Sequence, residues 1–580
     1  MRIRIRRSIL PLTALAALLC CLLILSSAGA AENRTLRLSA ETGEDALFLR
    51  SLSRGYDALL CAPGSWDLSQ VCLSMENREM LYLGEEKMPV PAVEKTDLTP
   101  FLDKRVPVFD ERGTKLTTLR LMQGSSLTTL FLTVDSKELA AVQKSKDNEI
   151  ASGRAVILSE EGETVYDGEI QKLKGRGNST FAYAKKPYEL KLKEKASPAG
   201  MPAAKTWILL ANYADLSLLR NQIVLDTAWE IGLPCAVRCA QVDVWINGEY
   251  QGLYLLAEKV QIGKNRVNIR DLEKENERLN PGDLSAFPRY KKPWGRLTDT
   301  RGYLLPQDPE DITGGYIAKI EKDHRLNNTA KPGFETESRL TVRIVEPTCP
   351  SENEVHYFAS RVDEAQRALI SGDGVNPETG KDWREYWDQE SFARKFLLEE
   401  WCKNFDFLGG SQYFYKDSDT VDPLLYAGPA WDYDLSCGNM TSRGFEPSGR
   451  YMTSQSRRPG NLYWLFSEQE SFRQKTREVW RDVFAPAMDL LLGESGEEGE
   501  SGSDPAADGT QDAAPAERHV LKSFSAYTEA IRASAAMNFA RWGTKVVAAK
   551  EAGSNFDAAV AYLEKWLRAR VAYMNNAANE

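Results

Sequence analysis

Gly428-Pro-Ala-Trp-Asp-Tyr-Asp434 sets two carboxylates, Asp432 and Asp434, two residues apart behind a proline-stiffened, aromatic-flanked turn. Oxygen ligands in this pattern suit Mg²⁺ or Mn²⁺, which take one or two carboxylates and complete their shell with substrate phosphates. The same pair would serve equally as turn and capping carboxylates. Upstream, Lys174-Gly-Arg-Gly-Asn-Ser-Thr180 offers two glycines, Arg176 and two hydroxyls in a tight loop. Its freed backbone N–H groups and the guanidinium would cradle a phosphate, or the loop is a plain β-turn. No Gly-Lys-Ser/Thr closes it, so it is not a P-loop. His324, His356 and His519 are the only histidines, and none sits in a recognisable catalytic motif. That argues against a Ser-His-Asp hydrolase or a His-ligated zinc enzyme.

These residues need elements to hold them. Thr128–Val134, Ala155–Leu158 and Glu163–Glu169 read as strands, with Asp167-Gly168 as a hairpin signal. In Lys185-Lys-Pro-Tyr-Glu-Leu-Lys-Leu-Lys193, period-2 spacing puts Tyr188, Leu190 and Leu192 on one face and Glu189, Lys191 and Lys193 on the other. Trp207–Asn221 passes from a strand into a helix that Asp215 or Ser217 would cap. Val242–Lys259 is a hairpin turning at Asn247-Gly248, with Glu258 at the end of its second strand. A helical run from Tyr386 ends in Trp401-Cys-Lys-Asn-Phe-Asp406, and Ser411–Lys416 begins a strand. Asp406 therefore lies on a short loop between helix and strand, and Asp432 follows the next strand. The aromatics Trp401 and Tyr413-Phe-Tyr415 read as core.

The chain opens with four arginines among its first seven residues, an apolar run from Ile9 to Leu25 and small residues to Ala31. This is the pattern of a secretory signal, and an uncleaved segment would serve as a membrane anchor. Its removal moves the formal net charge from −10 to −14. An acidic, secreted or cell-surface protein is a poor nucleic-acid binder. Seven cysteines lie beyond the signal, with Cys61/Cys72 and Cys235/Cys239 close enough in sequence to bridge. Composition divides the chain into a signal at 1–31, a small β-rich module at 32–124, an α+β body at 125–490, an acidic apolar-poor segment at 491–518 and a helical segment at 519–580.

In order and spacing, several pieces together resemble the CotH kinase family, the spore-coat-protein-H type of atypical protein kinase. They are Arg176-Gly-Asn-Ser-Thr180, Lys186-Pro-Tyr-Glu-Leu-Lys191, Asp215–Asn221, Asn247–Tyr254 with Glu258, Asn404-Phe-Asp406 and Gly428–Asp434. The resemblance covers roughly residues 125–490 and implies a divergent protein-kinase-like fold. It also implies ATP with Mg²⁺ or Mn²⁺ and phosphorylation of protein hydroxyls on the cell or spore surface. On that reading Asp406 orients or deprotonates the acceptor hydroxyl, Asp432 and Asp434 hold the metal, and Lys191 contacts the phosphates with Glu258 as its ion-pair partner. Arg176, Asn178 and Ser179 form the loop over the nucleotide. One departure stands out: the asparagine that protein kinases place five residues after the catalytic aspartate is here Ser411, followed by Gln412. Gln412 or Asp434 would have to supply a second metal site. Two other readings stay open: a non-catalytic surface or spore-coat-type binding protein on a borrowed fold, and a carbohydrate-active enzyme using paired carboxylates.

Overall fold

A computed structural model describes residues 35–41, 47–54, 57–322, 331–440, 445–454, 460–494, 521–544 and 554–578. The signal, most of the acidic segment, His324 and His519 lie outside the described residues. The rest clusters into two compact units, the first comprising the residues up to Ala62, Trp66–Gln123 and Gly248–Tyr250, the second Pro63–Ser65, Gly124–Asn247 and the residues from Gln251 on.

The first unit is built from short strands: β1 (Leu36–Ser39), β2 (Phe48–Arg50), β3 (Leu52–Arg54), β4 (Asp57–Ala62), β5 (Cys72–Met75), β6 (Met80–Leu83), β7 (Met88–Pro91), β8 (Arg105–Phe109) and β9 (Lys115–Gln123). Alternate residues are buried on β1, β6 and β8, whereas β4 is buried from Ala58 to Ala62. Six of them form a sheet in the order β3-β4-β9-β8-β6-β7. Cys61 on β4 and Cys72 on β5 belong to different sheets, so the bridge that their spacing allowed is not made.

The second unit begins with β10 (Thr129–Thr133), α1 (Ser136–Lys144), β11 (Glu149–Ile150), β12 (Arg154–Leu158), β13 (Thr164–Gly175), β14 (Tyr188–Ala196) and β15 (Ala204–Leu210). After α2 (Arg220–Glu230) come β16 (Cys239–Ile246) and β17 (Glu249–Glu258). The sheet order runs β15-β14-β13-β12-β10-β16-β17, and β15 pairs with β17 as well. These strands close into a barrel, a feature the kinase-like expectation did not include; the α+β class itself is what the structure has. Leu132, Ile157, Leu173, Leu190, Trp207, Val244, Tyr254 and Leu256 belong to one buried cluster inside it. The period-2 pattern thus buries one face of each strand within the ring.

Asn247 and Gly248, at φ 52° and 80°, turn the β16–β17 hairpin as their dipeptide predicts. Asp167-Gly168 does not turn: both residues pair within the ladder, Gly168 opposite Ala155, while Arg154 holds Asp167 at 2.7 Å. The reversal falls at Ser159–Glu163, where Gly162 takes φ 89°.

A second sheet follows: β18 (Arg289–Trp294), β19 (Leu297–Tyr303), β20 (Tyr316–Ile320), β21 (Gly333–Glu335), β22 (Thr341–Glu346), β23 (Gln412–Lys416) and β24 (Leu425–Ala427). Its order is β18-β19-β21-β22-β20-β23-β24. One face packs on α4 (Glu352–Ile370), started by a Ser351/Glu354 capping box, where Phe358 stacks on Tyr316 at 4.5 Å. α5 (Gln389–Cys402), capped by Asp388, leads from this core to Asp406. The remaining helices, α3 (Leu272–Leu279), α6 (Leu462–Glu468), α7 (Glu470–Val479), α8 (Ala485–Leu492), α9 (Phe524–Trp542) and α10 (Phe556–Ala578), complete the unit. Helical spacing predicts nine buried positions on α9 and α10; Phe524, Tyr527, Ile531, Phe556, Trp566 and Val571 are buried in the same cluster as the body, whereas Phe539, Trp542 and Tyr562 are half-buried.

Candidate active site

β13 and β14 are joined by the glycine loop. Arg176 N–H donates to Pro187 O at 3.1 Å, fixing the loop's start. Gly177 stands at φ 87°, and a Cβ there would lie 2.2 Å from Thr180 Oγ1, so no other residue fits without strain. Lys146 Nζ donates to Gly177 O at 2.9 Å. The Arg176 guanidinium sits 5.3 Å over the Trp431 ring. Burial pulls its pKa down, opposed chiefly by the charge of Asp432.

Asp406 is presented by a short helical turn, Phe405–Gly409, that begins directly after α5. Lys403 ends α5 in the left-handed conformation, and Asn404 Oδ1 accepts from Asp406 N–H at 3.0 Å. β23 and β24 then return the chain to Gly428–Asp434. Asp432 takes φ 75°, an unfavourable backbone for a residue with a Cβ, and its carboxylate accepts from Ser411 Oγ at 3.3 Å. Tyr433, between the two acids, is clamped at both ends. Its N–H donates to Asn221 Oδ1 at 2.7 Å, and its hydroxyl meets Lys395 and Glu399 at 2.7 and 2.8 Å. Asp215 accepts from Arg220 N–H at 3.0 Å, so it does help start α2, and Arg220 Nε reaches Ser436 O just beyond Asp434.

One cleft collects these groups: Arg176, Asn178, Ser179, Asp406, Asp432 and Asp434 all line it. Burial, then Asp432, Asp406 and Asp215, hold the Asp434 carboxyl well above its usual range. Among the described residues no ion pair neutralises Asp434. Among the described residues no group of three His, Cys, Asp or Glu side chains is placed to hold a metal ion. A pair such as Asp432 and Asp434 could hold a divalent cation only with substrate oxygens completing the shell.

Lys191 and Glu258 are not in the cleft and are not paired. Glu258 stands opposite Trp207, which stands opposite Leu190, so Glu258 shares the barrel's inner face; Lys191, one residue on, points to the other. The Glu258 carboxylate lies 3.6 Å from Arg238 and 3.9 Å from Arg266 instead. Of the two candidates for a second metal site, Asp434 lines the cleft; Gln412 does not, and is buried with neither amide atom hydrogen-bonded. Lys319, which the sequence reading did not mark, also lines the cleft, as do Asn221, read only as the end of the Asp215–Asn221 piece, and Tyr413. Trp401, Phe414 and Tyr415 are core, as read; Tyr413 is not. Nor do Cys235 and Cys239 bridge: the Cys239 thiol contacts Asp226 Oδ1 at 3.5 Å.

Fold and site together define an α+β protein whose cleft sets clustered carboxylates against a glycine loop and basic side chains. Residues 173–489 match the family described as CotH kinase protein, more than half of the chain, and the chain belongs to that family. No curated protein matches it.

Proposed function

We propose that this chain is an exported protein kinase of the CotH type that transfers the γ-phosphate of ATP to protein hydroxyls. The observation that carries the reading is the convergence of Asp406, Asp432 and Asp434 with Arg176, Lys319 and the glycine loop in one cleft. An acid on a loop, a hairpin and a metal-binding acid in chain order are the parts of a kinase-like catalytic lobe, and phosphoryl transfer depends on positioning and charge neutralisation.

In this scheme Asp406 takes the proton of the acceptor hydroxyl as its oxygen bonds to the γ-phosphorus and the bond to the β–γ bridging oxygen breaks, releasing ADP. Arg176 and Lys319 hold phosphate oxygens, and the backbone from Gly177 to Ser179 covers them. Asp432 and Asp434 would hold Mg²⁺ or Mn²⁺, which when bound neutralises charge on the phosphates. Asn221 and Ser411 keep the Asp432–Asp434 segment in place. Export rests on the arginine-led apolar start, and the acceptors are proteins on the cell or spore surface. Among the described residues no helix is long and apolar enough to cross a membrane.

The test is transfer of labelled phosphate from ATP by the purified chain with Mg²⁺ or Mn²⁺, beside Asp432→Ala and Asp406→Asn. Losses of about a hundredfold or more in each are expected. The separation of Lys191 from Glu258 favours a second reading, a non-catalytic surface or spore-coat-type binding protein. Absence of both transfer and ATP binding would remove the kinase reading and leave this one.

A further inference from the structure

The sheet that carries Lys319 has a cationic row on its cleft side. Register places Lys319 on β20 directly opposite Arg343 on β22, and opposite Tyr413 on β23. The flanking residues Ala318, Val342, Ile344 and Phe414 point the other way, into the core. Two cations facing each other across adjacent strands repel; Lys319 is offset locally, its Nζ donating to Gly410 O at 2.8 Å and lying over the Tyr413 ring. Glu321 answers Lys319 at 3.3 Å and its charge also bears on Arg343 and Lys331, but among the described residues no ion pair includes either of those two. Arg343 Nε is buried without a hydrogen-bond partner. Lys331 lies two residues before Gly333, which stands opposite Arg343, and the next residue, Pro332, accepts from Ile344 N–H at 3.1 Å; desolvation and then the charges of Arg343, Lys319 and Lys146 lower the Lys331 pKa to about 8. Lys146 is engaged with the glycine loop.

Lys319 lines the cleft with Arg176, whereas Arg343 and Lys331 do not. We infer that the row selects the acceptor: Arg343 and Lys331 bind an anionic side chain, carboxylate or phosphate, on the protein segment that brings its hydroxyl to Asp406. The inference rests on the kinase reading and names its substrate class, an acidic peptide. Nucleotide phosphates satisfy the two inner cations; an acceptor anion satisfies the outer two, and an Arg–carboxylate or Arg–phosphate pair is bidentate and charge-assisted.

The full chain is assayed on serine peptides of equal length flanked by glutamate, phosphoserine or alanine. A preference of about tenfold or more in kcat/KM for an acidic peptide is expected, the worth of one charge-assisted contact. Whether glutamate or phosphoserine is preferred identifies the anion. Arg343→Gln and Lys331→Gln bring the acidic-to-neutral ratio towards one. Both peptides are read on one preparation, so a poorly folded variant lowers both rates and leaves the ratio alone. A wild-type ratio near one, or variants that keep the wild-type ratio, would overturn the inference. So would an Arg343→Gln effect confined to the KM for ATP, which would give the row to the nucleotide. Absence of transfer to every acceptor, with no ATP binding, instead refutes the kinase reading and takes the inference with it.

Discussion

The segment bearing Asp432 and Asp434 is anchored by a buried charge pair, and breaking that pair gives the sharpest test of how the site is held. Lys395 and Glu399 lie one turn apart on α5, both side chains fully buried, with Nζ 2.5 Å from Oε1. The Tyr433 hydroxyl bonds to both. Lys395→Met leaves a buried carboxylate without its cation, and Glu399→Leu leaves a buried ammonium; each should cost about 3–5 kcal/mol. The double variant removes both charges together and leaves only the Tyr433 hydroxyl unpartnered, a cost of about 1–3 kcal/mol. The two changes should therefore couple by at least about 3 kcal/mol, far outside additivity. Urea unfolding followed by tryptophan fluorescence measures this from midpoint shifts at constant slope. Additivity within about 0.5 kcal/mol would refute the pair as an isolated buried unit. Adding Tyr433→Phe to the double variant should recover most of the remaining loss.

Lys319→Ala should lower phosphate transfer by about tenfold or more, while Lys191→Ala, on the far face of β14, stays within about twofold; the reverse order would restore the sequence-based assignment. Gly177→Ala places a Cβ 2.2 Å from Thr180 Oγ1 at φ 87°, so it should cost about 1–3 kcal/mol locally and appear as a raised KM for ATP; an unchanged KM would mean the loop does not cover the nucleotide. Glu354, buried in the capping box of α4, has its pKa raised from 4.5 to about 7, chiefly by burial. The native state thus holds a proton that the unfolded chain has lost, and stability falls as pH rises from the ordinary carboxylate range through about 7. Glu354→Gln should remove up to about 3 kcal/mol of that fall, read as unfolding free energy at pH 5 and pH 8; an equal pH slope in both proteins would rule out Glu354 as its source.

What could be read from sequence was local. Asn247-Gly248 determines its own backbone, and the acids at 406, 432 and 434 sit where helix, loop and strand signals put them. Asp167-Gly168 misled because a turn dipeptide yields when a neighbouring glycine, here Gly162, can take the reversal and Arg154 can pair with Asp167 across the ladder. Lys191 and Glu258 misled because a charge on a strand is assigned by face as well as by order. The period-2 pattern shows which face Lys191 takes, but only the β15–β17 pairing that closes the barrel puts Glu258 on the opposite one. Lys319 was invisible for the related reason that its significance lies in its register. A lysine in Tyr316–Ile320 reads as one polar position in an apolar strand until β22 and β23 bring Arg343 and Tyr413 beside it.

The C-terminal helices make the same point about where a site ends. The family match stops at residue 489, yet Arg570 on α10 is wholly buried, with Nη2 2.6 Å from the Glu400 carboxylate and Nη1 within 2.9 Å of Pro447 O and Gly449 O. The Glu400 carboxylate in turn accepts from Tyr451 and Met452 N–H, and Tyr451 Oη donates to Asn404 O, two residues before Asp406. On α9, Asn538 accepts from the fully buried Lys185 beside the glycine loop's return strand. Hydrophobic spacing announced both helices as core, but spacing carries no information about which buried cation meets which carbonyl. A buried arginine satisfied by one carboxylate and several carbonyls is fixed in direction as well as in energy. α10 is thus joined by continuous hydrogen bonding to the turn that presents Asp406, so the contacts that position this turn reach past residue 489, where the family match ends.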